Sequence, residues 1–300
     1  MSSLRSPNLV IKGKTPLLIS GTAFKGPKTA ELVEGSLKAG FSAVDSADYP
    51  TMDAYDEVAI GKGIAAAISA GTKKREDIFI QSKFAPAYAH QPDKLPFNVD
   101  QPVEDQVREA VEKSFRSLQV DHIDAYILFL PFLSDDDTLR AWAVLESYVP
   151  HRVGALGVSN FTADQLRLVW EKAAAVKPAI VQNRFFADNG FDEAVRAFAK
   201  EKGILYQAYW MLKGDPKILE SAVVAKVAEK LAVEKTLAYY VLIWLLGDTQ
   251  VLSGSSNVER MATNAKAAEK LLSDPALVES LQPLKQEFEE TLKELSAKKD

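Results

Sequence analysis

Cysteine is absent from the 300 residues of this chain, and histidine occurs only three times. Without thiols the protein can form neither disulfides nor thiolate nucleophiles nor thiolate metal sites. The histidines, His90, His122 and His151, lie far apart and lack the HExxH-type spacing of a zinc-binding helix. The sequence therefore predicts a protein without a transition-metal site, and its composition suits a reducing compartment.

A large excess of charge and a long hydrophobic run are also missing. The chain has 36 basic and 41 acidic residues, a net charge of −5, which disfavours binding to nucleic acids or anionic membranes. The longest apolar run, Leu237 to Leu246, has about half of the ~20 residues that a membrane span needs. The first residues contain no apolar segment of signal-peptide length. We therefore expect a soluble, cytoplasmic protein that acts on a small molecule as a monomer or weak homodimer.

Short apolar segments alternate with longer amphipathic segments along the whole chain. The apolar segments have the length and composition of buried parallel strands. The eight candidates are Leu17–Ser20, Ser42–Val44, Ile78–Ser82, Ala125–Leu130, Ala155–Val158, Ile180–Gln182, Ile204–Ala208 and Gln250–Ser253. Eight successive β–α units favour a closed (β/α)8 TIM barrel over an open sheet. No linker or repeat divides the chain, so residues 1–300 are expected to form a single barrel domain.

Apolar residues three and four apart predict the helices between these strands. The clearest are Val103–Leu118, Leu139–Val149, Thr162–Ala174, Asp192–Lys202 and Val258–Leu271. Two helices begin with the pattern of a capping box, at Thr162–Gln165 and Ser256–Glu259. Outside the repeating units, Leu9–Thr15 resembles an N-terminal hairpin, Ala85–Gln101 is a long loop, and Pro275–Asp300 is a tail that we expect to be helical.

Reactive groups of such a barrel lie at the carboxyl ends of its strands. Asp45 follows the second predicted strand, Lys83 follows the third, and Tyr55 lies between them in the chain. The pKa of a phenol is ordinarily about 10, which makes it a poor acid at neutral pH. A neighbouring ammonium lowers the pKa of a phenol, and a carboxylate keeps the ammonium charged. These residues thus form a candidate proton-donating group.

Several segments, taken in register, resemble the aldo-keto reductases, in particular a branch common in fungi. They are Val44–Ala47, Tyr55–Glu57 with Ile60–Gly61, Ile80–Phe84, Gly157–Asn160, Ala175–Phe186 and Ile204–Leu212. Each segment alone is a weak signal, whereas the ordered set is specific and extends over essentially the whole chain. The resemblance implies a (β/α)8 barrel that uses NADP(H) as its cofactor.

Catalytic roles follow from the resemblance. Asp45, Tyr55 and Lys83 correspond to the catalytic aspartate, the tyrosine acid and the lysine that tunes this acid. The spacing from Asp45 to Tyr55 is longer than usual in the family, and Tyr49 is a competing candidate for the acid. Tyr55 is preferred because its distances to the glutamate and the glycine that follow it match the family.

Contacts to the cofactor are implied in the same way. The implied residues are Gly21, Thr22, Asp45, Ser159, Asn160, Gln182, Tyr209, Leu212, Ser255, Arg260 and Asn264. In the family the carboxamide of the nicotinamide is bound by residues matching Ser159, Asn160 and Gln182, and its ring stacks on one matching Tyr209. The adenosine phosphate would lie by Ser255, Arg260 and Asn264, at a helix start where free backbone N–H groups favour an anion.

Two departures from the family affect function. Gly254 stands where a lysine often grips the 2′-phosphate, which weakens the sequence evidence for NADP over NAD. Phe129 stands where the family usually has a histidine that bonds the substrate carbonyl. Loss of one such donor typically costs about 10²–10³ in rate. Phe24 and Trp210, which follow the first and seventh strands, either line the substrate pocket or are ordinary aromatics of the rim.

The sequence therefore predicts an NADP(H)-dependent oxidoreductase that acts on a hydrophobic carbonyl or conjugated compound, in specialised metabolism. Two alternatives stay open because of Phe129. One is a redox-neutral isomerase, dehydratase or cyclase on the same scaffold. The other is a non-catalytic protein that binds NADP, in which Phe129 only fills the barrel.

Overall fold

Parallel strands organise the structure, a computed structural model that describes residues 16–297. Each strand in this range pairs with the next, and the eighth pairs with the first, so the sheet closes into a barrel. The strands are β1 (Leu18–Gly21), β2 (Ala43–Asp45), β3 (Phe79–Phe84), β4 (Ile123–Leu128), β5 (Val153–Ser159), β6 (Ile180–Arg184), β7 (Leu205–Tyr209) and β8 (Thr249–Ser253). The predicted (β/α)8 barrel is confirmed. The predicted hairpin Leu9–Thr15 lies outside the described residues.

Helices surround the barrel and follow each strand in turn. In the described range they are α1 (Thr29–Lys38), α2 (Glu57–Ser69), α3 (Val103–Leu118), α4 (Asp135–Glu146), α5 (Ala163–Lys172), α6 (Glu193–Lys202), α7 (Met211–Gly214), α8 (Ala222–Leu231), α9 (Lys235–Leu245), α10 (Val258–Ser273), α11 (Pro275–Ser280) and α12 (Gln282–Ala297). The last two confirm the helical tail. The long loop 85–101 contains two short 3₁₀ turns, Ala87–Ala89 and Pro92–Lys94.

Three local predictions need correction. Helix α4 begins at Asp135 rather than at Leu139, because Ser134 caps it by accepting a hydrogen bond from the Asp137 N–H. Strand β4 ends at Leu128, so Phe129 lies just beyond the strand. The capping box predicted at Ser256 is wrong, because the cap of α10 is Asn257. The capping box at Thr162 is confirmed.

Alternation of side chains along the strands separates two apolar layers. The inner layer fills the barrel and comprises Ile19, Ala43, Phe79, Ala125, Ile127, Ala155, Ile180 and Leu205. The residues next to them in the strands, such as Val44 and Ile80, face outward and pack under the helices. Residues two and four positions after an inner-layer residue therefore point into the barrel near its carboxyl-end mouth. This parity places Asp45 and Lys83 inside the mouth.

Close packing of helices α2 and α3 depends on Gly61. A Cβ at this position would lie 2.5 Å from the carbonyl oxygen of Ser117, closer than real Cβ contacts come. The glycine of the Tyr55–Gly61 segment therefore has a packing role, which lets α2 lie against the end of α3.

The apolar run Leu237–Leu246 is accounted for by burial. Most of it forms α9, whose residues from Leu237 to Leu245 are all buried against the barrel and the neighbouring helices. Among the described residues, no helix is both long enough and apolar enough to cross a membrane.

Candidate active site

A buried ion pair lies at the centre of the barrel mouth. The Nζ of Lys83 is 2.6 Å from Oδ1 of Asp45, and their side chains are 0% and 1% exposed. Lys83 also donates to the carbonyl oxygen of Ser46, at 2.8 Å. Burial lowers the pKa of Lys83, while the Asp45 carboxylate opposes this change. Because each charge has hydrogen-bonded partners, the pair can persist out of water.

The phenol that joins this pair belongs to Tyr55. Its hydroxyl donates to Oδ2 of Asp45 at 3.4 Å, and the Nζ of Lys83 lies 5.0 Å from the centre of its ring. The hydroxyl of Tyr49 instead donates to the carbonyl oxygen of Ala89, at 2.9 Å. The structure thus brings the Tyr55 hydroxyl, and not that of Tyr49, to the ion pair.

The electrostatic prediction for this phenol is wrong. Burial, and next the carboxylate of Asp45, raise the pKa of Tyr55 well above its ordinary value. The ammonium of Lys83 does not reverse this, because it is hydrogen-bonded to Asp45 and Ser46 and lies beneath the ring. Tyr55 is therefore protonated across the neutral range, as a proton donor must be.

Phe129 covers the ion pair from the side of β4. The centre of its ring is 5.6 Å from the Nζ of Lys83. It is also 5.3 Å from the centre of the Tyr49 ring, and the two rings meet at a steep angle. The ammonium thus lies near the rings of both Tyr55 and Phe129, a favourable cation–π arrangement. The phenyl ring has neither a hydrogen-bond donor nor an acceptor, so this side of the site is apolar.

Glutamine side chains form a buried network beneath Asp45. The Nε2 atoms of Gln81 and Gln182 donate to Oδ1 of Asp45 at 2.5 and 3.0 Å, and both also donate to Oε1 of Gln207, at 3.0 and 2.8 Å. Gln207 donates in turn to Gln250, at 2.9 Å. Strand register explains the network, because Gln182 pairs with Gln207 and Gln207 with Gln250. These bonds fix the carboxylate that the ion pair requires.

Glu57 supports the backbone that carries Asp45 and Lys83, from the outward face of the strands. Its Oε1 accepts from the hydroxyls of Ser82, at 2.6 Å, and Ser46, at 3.1 Å. These serines adjoin Lys83 and Asp45 in the chain, so one carboxylate links β3 to the residue that follows β2. Burial, then the neighbouring Asp48, raise the pKa of Glu57 to about 7.

This buried acid makes stability depend on pH. A carboxyl whose pKa is raised from 4.5 to about 7 in the folded protein binds its proton more tightly there than in the unfolded chain. The stabilisation that this proton gives the folded protein is complete below pH about 4.5 and is lost as the pH rises through about 7. The free energy of unfolding changes by on the order of 3 kcal/mol over this range. We therefore expect Glu57→Gln to flatten the fall in unfolding free energy between pH 5 and 8, measured by urea denaturation.

The matched control for this variant is Glu31→Gln, since Glu31 is exposed on α1. Burial also raises the pKa of Asp48, so part of the slope should persist in Glu57→Gln. Equal slopes for wild type and Glu57→Gln would contradict the assignment.

Residues predicted for the nicotinamide carboxamide lie at the ends of β5, β6 and β7. Asn160 donates through Nδ2 to the carbonyl oxygen of Phe129, at 2.9 Å, and to Oγ of Ser159, at 3.1 Å. The hydroxyl of Tyr209 donates to Oδ1 of Asn160. Gln182 lies close by, but its amide nitrogen is used by Asp45 and Gln207. The structure thus brings these residues together at one side of the mouth.

The turn after β1 closes the mouth on the opposite side. Thr22 donates to the carbonyl oxygen of Asp45, at 2.6 Å. A Cβ on Gly21 would lie 3.3 Å from the carbonyl oxygen of Ser253, so the turn passes close to β8. Phe24, Asn160 and Trp210 have positive φ values of 58°, 59° and 65°, respectively, which is unusual for residues other than glycine. Such backbone conformations concentrate at functional sites.

Residues predicted for the adenosine phosphate lie apart from the ion pair, after β8. Ser255 accepts from the backbone N–H of Asn257, at 3.2 Å, and so shapes the loop. Arg260 is more than half exposed and lies 3.6 Å from Glu234, a contact that solvent weakens. Asn264 is only 3% exposed, so little of it is available to a ligand. Leu212 packs partly buried against the outer core.

Large apolar side chains surround the mouth. Five exposed ones lie on loops that follow strands: Phe24, Met52, Tyr88, Leu133 and Trp210, with exposures of 59%, 61%, 49%, 88% and 42%. We call this set the apolar rim. Exposed apolar side chains at the mouth of the barrel favour binding of an apolar ligand.

The sequence interpretation missed the residues that support the ion pair. Gln81, Gln207 and Gln250 are each a polar residue at an inward position of a largely apolar strand. An amide at such a position has to find a buried partner, and this signal could have identified the network. Glu57 was noted only for its distance from Tyr55.

A family comparison agrees with this geometry. The model of the aldo/keto reductase family matches residues 11–279. Among curated proteins, the "aldo-keto reductase family 1 member C23-like protein" of Equus caballus is 28% identical over 273 residues, which cover 81% of this chain and 78% of that protein. The glyoxal reductase of Bacillus subtilis is 29% identical over 220 residues, 73% of this chain and 70% of that protein.

Solved structures give the same fold. An aldo/keto reductase from Brucella melitensis has a TM-score of 0.66 and 25% identity, and the match covers 85% of this chain and 95% of that one. An aldo-keto reductase of Bombyx mori, solved in complex with NADP, has a TM-score of 0.69 and 23% identity, and the match covers 91% of this chain and 89% of that one.

Proposed function

The chain belongs to the aldo/keto reductase family, and we propose that it is an NADP(H)-dependent oxidoreductase acting on a hydrophobic carbonyl or conjugated compound. The observation that carries this proposal is the group formed by Asp45, Lys83 and Tyr55, with the phenol hydroxyl 3.4 Å from a carboxylate that is paired to a buried ammonium. The apolar ring of Phe129 beside it supports the hydrophobic character of the substrate.

The residues present fit a nicotinamide dinucleotide. Amide and hydroxyl groups of Asn160 and Ser159 suit a carboxamide, and the ring of Tyr209 adjoins them. Away from this end, the Gly21 turn passes close to β8, since a Cβ on Gly21 would lie 3.3 Å from the carbonyl oxygen of Ser253. Arg260 and the start of α10 offer a guanidinium and backbone N–H groups to a phosphate.

In this proposal each residue of the group Asp45, Lys83 and Tyr55 has a separate task. Tyr55 donates the proton of its hydroxyl to the substrate atom that gains electrons. Lys83 holds positive charge beneath the ring, 5.0 Å from its centre, and stabilises the phenolate that remains. Asp45 keeps that ammonium charged and in place, at 2.6 Å. The nicotinamide, when bound, supplies the hydride.

Substrate class follows from the walls of the mouth. Without a histidine at position 129, Tyr55 is the side-chain donor that reaches the reacting atom, so a carbonyl is polarised less strongly. The apolar rim instead favours a substrate that gains binding energy by leaving water. A bulky ketone or a conjugated C=C or C=N compound meets both conditions, and a role in specialised metabolism would suit such a substrate.

The direct experiment is titration of the protein with NADPH, followed through quenching of tryptophan fluorescence. A panel of aldehydes, ketones, enones and imines would then be tested for NADPH oxidation. We expect saturable NADPH binding and turnover of apolar members of the panel. Absence of NADPH binding would contradict the proposed function.

Phe129 also favours a second candidate, a redox-neutral reaction on the same scaffold. Product formation without net NADPH oxidation would support an isomerase, dehydratase or cyclase. Tight NADP binding without any turnover would support a non-catalytic protein.

We also propose that residues 1–300 are one domain, because β1–β8 close into one barrel. The cytoplasmic location and the monomeric or weakly dimeric state stay predictions.

A further inference from the structure

Two buried carboxyl groups lie behind the barrel mouth, in the layer between β3 and α3. Asp48 is 4% exposed and Glu57 is 7% exposed. Glu57 reaches this layer from the start of α2, where its Oε1 accepts from the hydroxyl of Ser82, at 2.6 Å. Asp48 comes from the loop after β2, and its backbone N–H donates to the carbonyl oxygen of Lys83, at 3.0 Å. Both residues are therefore attached to the same two residues of β3.

Helix α3 encloses both carboxyl groups from the other side of this layer. The Nζ of Lys113 is 2.8 Å from Oδ1 of Asp48. The hydroxyl of the next residue, Ser114, is 3.5 Å from the Ser82 hydroxyl that donates to Glu57. Asp48, Glu57 and Lys113 also line one cavity. The contacts of the strand and of the helix thus place the two carboxyl groups side by side.

One oxygen of each carboxyl group has no hydrogen-bond donor among residues 16–297. These atoms are Oδ2 of Asp48 and Oε2 of Glu57, and both are buried. A buried carboxylate oxygen without a donor costs free energy, and two neighbouring carboxylates also repel each other. A single proton held between the two oxygens removes both costs, because one carboxyl group then donates to the other. Neighbouring acids that cannot both ionise share a proton in this way.

The groups around the two acids are compatible with one shared proton. Burial, and next Asp48, raise the pKa of Glu57 to about 7. Burial also raises the pKa of Asp48, and Lys113 opposes this rise. The titratable groups that face the two acids are Lys113 and Glu109 of α3, Lys83 of β3 and Tyr126 of β4. With one proton, the two acids and the ammonium of Lys113 sum to zero charge; without it, they carry a net negative charge in a buried place.

We propose that Asp48 and Glu57 share one proton and so act as a positioning pair, which holds the segment 48–57 against β3. Tyr55, the proton donor, lies in this segment, two residues before Glu57. Lys83 is the residue of β3 that accepts the backbone N–H of Asp48. The inference rests on the proposed function, because the pair acts on turnover through these two residues. When the proton leaves to solvent as the pH rises through about 7, the pair gains a second negative charge, and the repulsion moves the Tyr55 hydroxyl away from the ion pair.

The experiment measures the single-turnover rate of NADPH oxidation against pH, with the best substrate of the panel. The wild-type rate should fall by about 10-fold or more as the pH rises through about 7, since a misplacement of ~1 Å can cost about 10²-fold. The phenol cannot cause this fall, because burial raises the pKa of Tyr55 well above its ordinary value. Glu57→Gln and Asp48→Asn each put an amide donor where the proton lies, so the rate should stay level over this range. The control Glu31→Gln, at an exposed position, should keep the wild-type fall.

A fall that both variants retain would overturn the proposal. So would a fall that moves to lower pH in Glu57→Gln, because loss of the Glu57 charge lowers the pKa of Lys83 and the fall would then belong to that ammonium.

Infrared difference spectra test the shared proton without any turnover. The wild-type spectrum should contain the C=O stretch of a buried protonated carboxyl group that titrates near 7, and both Glu57→Gln and Asp48→Asn should lack it. Burial raises the pKa of Asp192 to about 6, and the band of that carboxyl group should persist in both variants. A wild type without the band near 7 would overturn the proposal, and this spectrum decides alone if the variants do not fold. If wild type oxidises no NADPH, the proposed function has failed, and the spectra still decide whether the proton is shared.

Discussion

Replacement of Tyr55 by phenylalanine is expected to lower kcat by about 10²–10⁴-fold, the usual contribution of a positioned proton donor. The variant removes one oxygen and keeps the ring that lies 5.0 Å from the ammonium of Lys83. The Kd of NADPH should therefore change little, because the lost interaction is made with the reacting atom. Steady-state kinetics on the best substrate of the panel, together with an NADPH titration, measure the two quantities separately.

The matched control is Tyr49→Phe. Its hydroxyl is bound to the carbonyl oxygen of Ala89, so its removal should cost far less activity than the loss of the Tyr55 hydroxyl. Should Tyr49→Phe be the inactive variant and Tyr55→Phe the active one, the assignment of the acid would have to be reversed. Equal losses in both would point to an effect of folding, which thermal denaturation of the two variants would reveal.

The second large effect is expected from Phe129→His. A histidine would add a donor to the apolar side of the site, and one such donor is worth about 10²–10³ in rate. The backbone at 129 is held firmly, because its N–H donates to the carbonyl oxygen of Phe84, at 2.8 Å, and its carbonyl accepts from Asn160, at 2.9 Å. We therefore expect kcat/KM for simple aldehydes to rise, measured by NADPH oxidation.

Phe129→Leu is the control for this gain, since leucine is apolar and brings no donor. It should leave simple aldehydes as poor substrates and weaken the turnover of aromatic or conjugated ones. A failure of Phe129→His to improve any aldehyde, in a variant that still binds NADPH, would mean that position 129 does not face the substrate oxygen. That result would favour the alternative function, a redox-neutral isomerase, dehydratase or cyclase.

Much of the scaffold could be read from local patterns. The eight apolar segments correspond to β1–β8, with shifts of a few residues at their ends. Helix α3 was predicted with its bounds, Val103–Leu118, because its apolar face repeats regularly. The error at Ser256 arose where two adjacent residues, Ser256 and Asn257, are both good caps, and only the path of the loop after β8 selects between them.

The direction of the Tyr55 pKa shift could not be obtained in this way. The residue types alone suggested an ammonium that lowers the pKa of the phenol. In the fold, the ammonium lies beneath the ring and binds Asp45, and burial raises the pKa of Tyr55 instead. A sequence records which charges are present, whereas their distances and their access to water come from packing.

By itself the sequence determined the barrel, its order of strands and the placement of Asp45 and Lys83 at the mouth. It could do so because alternation along a strand is a local property of the backbone, and strand ends in a closed parallel barrel meet at one face. Only the tertiary structure brought the hydroxyl of Tyr55 to Asp45, joined the glutamines beneath Asp45, and brought Lys25 to the carbonyl of Gly254. Those contacts connect residues far apart in the chain, and they depend on strand register and loop paths that no local pattern specifies.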